Sequence, residues 1–132
     1  MASIFTLDGL SYNVFVPEDG VKRSAQVLDG QNAGRSTGGA MTRDIIGTYY
    51  NYVIEIDAQY TAPEEYDRLY EVLTAPVDSH TLVVPYGQET LEFEAYITSV
   101  EDTLKTAAGG VNRWGGISAS FVAMEPKRYR EG

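Results

Sequence analysis

The 132-residue sequence has no cysteine, one histidine and one tryptophan. Without cysteine there is no disulfide framework, no zinc–thiolate site and no thiol nucleophile, which fits folding in a reducing cytoplasm. His80 alone cannot supply the two or three nitrogen or sulfur ligands that a zinc site requires. Positive charge is also scarce, with 10 Lys and Arg against 19 Asp and Glu, a formal net charge of −9. That balance argues against a protein that grips nucleic acid through phosphates, which needs a basic patch to gain from counterion release. The acidity either provides solubility or keeps nucleic acid from sticking. The few cations include a cluster of Lys127, Arg128 and Arg130, which is either solvated or paired with an acidic neighbour. No apolar stretch approaches the ~20 residues that span a bilayer. Met1-Ala2-Ser3-Ile4-Phe5 lacks the basic-then-apolar order of a signal peptide. Neither a membrane anchor nor a leader is expected.

What is present is a globular composition, 43% hydrophobic, of a length that suits a single domain over 1–132. Tyrosine stands out, with 10 copies against 4 Phe. Tyrosine serves half-buried strands, and also surfaces dry on one side and wet on the other.

The pattern along the chain is mainly β with one helix. Asp8-Gly9 signals a two-residue turn in a hairpin over 4–16, with Leu10, Tyr12, Val14 and Val16 on one face. A short strand is expected over 21–28. Between 29 and 40 the chain has four glycines and almost no large apolar residue, so it has no core of its own to bury. Together with the junction to the next strand it forms a glycine-rich arm at about 29–43. The longest strand signal covers 44–60, with Ile46, Tyr50, Tyr52, Ile54 and Ile56 on one face and Tyr49, Asn51, Val53, Glu55 and Asp57 on the other. A strand of this length projects beyond a small sandwich.

The helix is expected over 61–73. Thr61 and Glu64 have capping-box spacing, Pro63 suits the first turn, and Tyr66, Leu69, Tyr70 and Leu73 make one apolar stripe. Pro76 stops it. Strands at 81–86 and 91–98 then form a hairpin around Gly87-Gln88-Glu89, with Pro85 marking an edge or a bulge. A polar stretch runs from 99 to 113, and a last strand from 114 to 124 buries Ile117, Ala119, Phe121 and Ala123. The fold class is α+β: an antiparallel β-sandwich or split barrel with a single flanking helix.

No constellation for catalysis emerges. Ser79 beside His80 does not make a nucleophile–base pair, because sequence neighbours rarely face each other productively. Glu92 and Glu94 share one strand face, whereas a glycosidase pair faces across a cleft. The glycine-rich segment lacks the Walker lysine and the dinucleotide spacing. No enzyme activity and no cofactor are expected.

The order hairpin, long loop, long strand, helix, hairpin, loop, closing strand resembles the tail-tube superfamily of tailed bacteriophages. Residues 43–52 (Arg43-Asp44-Ile45-Ile46-Gly47-Thr48-Tyr49-Tyr50-Asn51-Tyr52) are similar to the strand that enters the first sheet of prophage minor tail and distal tail proteins. Tyr66 to Leu73 with His80 to Gly87 resembles their helix-to-strand unit, and Trp114 to Pro126 resembles their closing strand. The resemblance implies a non-enzymatic structural protein of a siphovirus-type tail. Such a protein is located in the virion and forms a homo-oligomeric, hexameric ring with other tail proteins and with DNA passing through it. On that reading Gly30, Gly34, Arg35, Gly38, Gly39 and Arg43 form an arm that docks on the next subunit. Tyr49, Tyr50 and Trp114 anchor the interface, and Glu55, Asp57, Glu92 and Glu94 are candidates for an acidic lumen. Distal tail proteins usually carry a further C-terminal domain, and this sequence ends at Gly132, so the position in the tail stays open. The rival expectation is a monomeric carbohydrate- or protein-binding module, with sugar recognised through Tyr49, Tyr50, Tyr52 and Trp114.

Overall fold

Strand β6, Ile45–Ala58, is the spine on which the domain is built. The computed structural model describes residues 4–29, 34–35, 41–42 and 45–129. Before β6 come β1 (Thr6–Leu7), β2 (Val14–Phe15), β3 (Val21–Asp29), β4 (Gly34–Arg35) and β5 (Met41–Thr42). After it come α1 (Pro63–Leu73), β7 (His80–Tyr86), β8 (Glu89–Thr106), β9 (Arg113–Ala123) and β10 (Arg128–Tyr129). The main sheet is antiparallel and runs β1-β7-β8-β9-β6. Along one side of β6 lie β10, opposite Thr48 and Gly47, and then β9, opposite Asn51 to Ile56. Along the other side lie β3 and β2. The architecture is the α+β one that the sequence pattern indicates: a curled antiparallel sheet with one helix against it.

Period-2 alternation decides what is buried. Tyr50, Tyr52, Ile54 and Ile56 of β6 line the concave face with Ile117, Ala119 and Phe121 of β9. Phe93 and Ala95 of β8 and Leu82 and Val84 of β7 continue the same face. The α1 stripe covers it, with Tyr66, Leu69 and Leu73 buried and Tyr70 half-buried. Each such leucine contributes about 1.5–3 kcal/mol relative to an exposed one. Three tyrosines fix the curl. The Tyr52 hydroxyl donates to the Pro85 carbonyl at 2.9 Å, and the hydroxyls of Tyr86 and Tyr50 are 3.0 Å apart with the rings edge-on. Strands that are not neighbours in the sheet are thereby joined across the concavity.

Several expectations need correction. The Asp8-Gly9 turn forms, with φ of 53° and 81°, and Leu7 and Leu10 exchange both backbone bonds at 3.0 Å. The strand behind it does not form: Leu10 is exposed, and Val14–Phe15 pair with the end of β6 instead. There is no capping box. The helix begins at Pro63 with Ala62 as N-cap and no side-chain cap, so Thr61 lies one residue too early. Glu65 takes the acidic role, with its Oε1 accepting from the Asn13 backbone N–H at 3.3 Å. The helix ends at Leu73, before Pro76, with the Thr74 hydroxyl on the Tyr70 carbonyl at 2.9 Å.

The polar stretch after residue 98 is not a loop up to Arg113. β8 continues to Thr106, paired with β9 through three register shifts. Both faces of this ribbon are largely solvated, so its polarity reports exposure and not absence of a strand. Pro85 does sit at an open edge: β1 covers only Val83 and Leu82 of β7. After Pro126 the chain turns back and β10 docks along β6, with the Lys127 N–H donating to the Thr48 carbonyl at 2.9 Å.

Candidate assembly surfaces

β3 and β6 pair from Val21↔Ile54 to Asp29↔Ile45, and between them in sequence β4 and β5 form a separate two-stranded sheet with Gly34↔Thr42 and Arg35↔Met41. The described part of the glycine-rich arm is therefore a hairpin and not a featureless loop. Gly30, Gly38, Gly39 and Arg43 lie outside the described residues.

Toward the arm, the β3–β6 ribbon leaves the core behind. Lys22 to Leu28 are all exposed, and β6 is the one strand that β3 pairs with among the described residues. The outer side of β3 is thus an open sheet edge, the feature that templates pairing with another chain. Val27 and Ile46 share the concave side beside Thr48 and remain 49% and 45% exposed. Lys22 and Arg23 guard the start of this edge with charge. Gln26, Val27 and Leu28 do not.

The acidic candidates all lie on the convex face but fall into two groups. Glu55 and Asp57 are near one end of β6, Glu92 and Glu94 near the start of β8. Glu55 pairs with Ser118, whereas the Glu94 carbonyl bonds to the Met124 N–H, so about 20 Å of strand separates the groups. Glu101 pairs with Ser118 from the other side and extends the Glu55 group; sequence reasoning missed it because its strand reads as loop. Asp57 Oδ1 accepts from the Gly116 N–H at 2.6 Å, which ties that carboxylate to β9. Hydrogen bonds from the Thr81 and Ser79 hydroxyls hold the Glu94 carboxyl below its ordinary range.

The aromatic candidates are dispersed. Tyr50 is not an interface anchor: as a concave-face residue of β6 it is buried and bonded to Tyr86. Tyr52 is buried in the same row, Tyr49 is half-buried on the convex face, and Trp114 sits at the far end of the sheet, 39% exposed. These side chains form no common platform for a sugar ring. The chain matches no protein-family model and no curated protein. Among the described residues no group of three or more His, Cys, Asp or Glu could hold a metal ion, and no helix is long and apolar enough to cross a membrane.

His80 is the one buried polar residue among those described. Its Nδ1 lies 2.7 Å from Asp8 Oδ2, and Asp8 Oδ1 accepts from the Thr81 N–H at 2.9 Å. The Ser79 hydroxyl points to Glu94 at 2.8 Å, so Ser79 and His80 are engaged with different carboxylates. The pair His80–Asp8 fastens the first turn of the chain to β7, and nothing local in the sequence signals it. A cleft between α1 and the β8–β9 hairpin was equally illegible, since it joins residues from distant segments.

Proposed function

We propose that this chain is a non-enzymatic structural protein of a siphovirus-type bacteriophage tail, whose copies close into a ring through which DNA passes. Its location is the virion, and its partners are further copies, hexameric by the resemblance, and other tail proteins. The observation that carries this reading is the β3–β6 ribbon, which extends past the core with an open edge and with Val27 and Ile46 uncovered. A second copy adding a strand to that edge satisfies backbone groups and buries those side chains in one step. The β4–β5 hairpin, with Gly34 and Arg35, forms a separate two-stranded sheet that would dock on the neighbour.

The convex face supplies the rest of the argument. Glu55, Asp57, Glu101, Glu92 and Glu94 make it acidic at both ends, which repels phosphates and lets DNA slide without being held. Light scattering and negative-stain electron microscopy at micromolar concentration test the proposal. Rings are expected from the full chain, and a folded single chain after deletion of residues 30–40. A full chain that stays solitary sinks the reading, and assembly that survives the deletion removes the arm from it.

A further inference from the structure

Two strands of the sheet each leave one side unpaired, and the unpaired sides match. β7 pairs with β8 only from Glu89 to Ala95, whereas β9 follows β8 on to Thr106. From Tyr96 onward, the side of β8 away from β9 has no strand beside it among the described residues, and its backbone groups there template one. An open groove of about 290 Å³ lies between Tyr96 to Val100 and the α1–β7 connection at Thr74, Ala75 and exposed Val77. The second open side is that of β3, from Ser24 to Leu28. Nearer its start Arg23 is already used within the chain, over the Tyr86 ring at 5.2 Å. Lys22 lies on the other, convex face opposite Val53 and is exposed. Within one copy β9 and β6 stand between the two edges.

Parity and charge select how the two edges pair. Laid antiparallel, with β3 stopping where β7 begins, Leu28 falls opposite Tyr96 and Val27 opposite Ile97. The register shift in β8 between Ile97 and Ser99 takes up Thr98. Beyond it Gln26 meets Ser99, Ala25 meets Val100 and Ser24 meets Glu101. Every pair then shares a face: Val27 and Ala25 are concave with Ile97 and Val100, and the others are convex. Lys22 comes one period-2 step from Glu101, within reach of a long side chain. A parallel arrangement sets Val27 and Leu28 beside Glu101 and Asp102, and Lys22 beside Tyr96, which wastes both matches.

We infer that β3 of one copy adds to the Tyr96–Glu101 edge of β8 in the next, so that the sheet runs on from copy to copy. This rests on the self-assembly reading above and names the acceptor for the open β3 edge. Each copy gives one edge and takes one, a heterologous contact that propagates until rotation closes it into a ring. Two β3 edges pairing with each other would stop at a dimer.

The chain has no cysteine of its own, so a pair of introduced thiols reports the contact. Leu28→Cys with Tyr96→Cys in one full chain should give, on mild oxidation of the assembled protein, a ladder of disulfide-linked species beyond the dimer on a non-reducing gel. Either substitution alone should give nothing beyond the dimer. A charge swap reads the same contact without a cross-link. Lys22→Glu and Glu101→Lys should each weaken association at least about threefold, and the two together should restore it. All four positions are exposed, so the melting midpoint of the dissociated chain should hold. Wild-type rings together with no ladder, with linked dimers only, or with a swap that fails to recover would overturn the β3–β8 contact and leave the ring reading standing. A wild-type chain that stays solitary at micromolar concentration overturns both.

Discussion

Asp8 and His80 lie 72 positions apart in sequence and 2.7 Å apart in space, carboxylate oxygen to ring Nδ1. Asp8 occupies a turn with φ of 53°, a left-handed conformation that Asp tolerates better than most residues, and the turn aims its carboxylate at the start of β7. One side chain therefore serves the turn, the buried imidazole and the Thr81 N–H together.

That arrangement has an acid-side consequence. Burial alone would raise the Asp8 carboxyl, but the His80 hydrogen bond, the Thr81 N–H and the imidazole field outweigh it, and the net shift is below the ordinary value of 3.8. A lowered carboxyl contributes stability that is present above 3.8 and is lost as pH falls through its folded value. Stability should thus fall with acidification from about pH 4 downward, and Asp8→Asn should flatten that slope while keeping a residue that tolerates the turn. Asp8→Ala should cost more, about 1–3 kcal/mol, because it leaves the buried His80 without its partner. Thermal midpoints between pH 6 and pH 2.5 check both. An unchanged slope in Asp8→Asn removes the pair from the pH response.

Gly47 makes a second prediction, local to the β10 dock. A Cβ there would press on the Arg128 carbonyl oxygen and approach Pro126 Cβ at 2.8 Å, both backbone-anchored obstacles. Gly47→Ala should therefore detach β10 from β6 at a cost of about 1–3 kcal/mol, leaving the core intact. Amide exchange reads it directly: the Lys127 N–H, bonded to the Thr48 carbonyl, should lose protection, whereas amides of β9 should keep theirs.

Gly47 also shows what sequence alone could and could not reveal. β6 is legible because Tyr50, Tyr52, Ile54 and Ile56 alternate against polar partners over a long run, and burial follows that alternation. The α1 stripe and the β9 face are legible for the same reason. The second half of β8 is not, because a ribbon solvated on both faces carries no alternation of polarity to read. β10 is too short to show a period. The glycines between 30 and 39 mark a segment without a core of its own, but the β4–β5 pairing within it is too short to show a period. Asp8–His80 and the cleft of Tyr66, Asp102 and Trp114 are contacts between segments far apart in the chain, and no local spacing encodes them. For Tyr50 two signals conflict: the tail-tube resemblance points it to an interface, strand parity points it inward, and its burial follows parity.

Val27 and Ile46 give the assembly surface its own test. Both are exposed, so Val27→Lys with Ile46→Lys should alter the stability of a single chain by less than about 0.5 kcal/mol. In a partner interface the same changes place ammonium groups where apolar surface should be buried. Sedimentation velocity should then show smaller species at every concentration, with an unchanged melting midpoint for the dissociated chain. Equal sedimentation of mutant and wild type would mean that the ribbon is not an assembly surface.

The tyrosines should set the alkaline limit of the fold. Burial is the leading cause that raises Tyr12, Tyr52 and Tyr66 above the ordinary phenol value of 10.0, and for Tyr66 the neighbouring Asp102 charge and its hydrogen bond push further in the same direction. A raised phenol keeps its proton in the folded chain after the unfolded chain has lost it. The stability it contributes is complete below pH 10 and is lost as pH rises toward the folded value, so the melting midpoint should fall steeply above pH 10. Tyr66→Phe removes one such group and should flatten that limb by up to one proton per molecule. At pH 7 it should cost about 1 kcal/mol, for the bond to Asp102. Tyr52→Phe should flatten the limb as well, and in addition free the Pro85 carbonyl, whose loss of a partner should appear as faster exchange near the β7–β8 turn. A double variant whose midpoint still falls as steeply as wild type above pH 10 would show that these phenols do not control the alkaline transition.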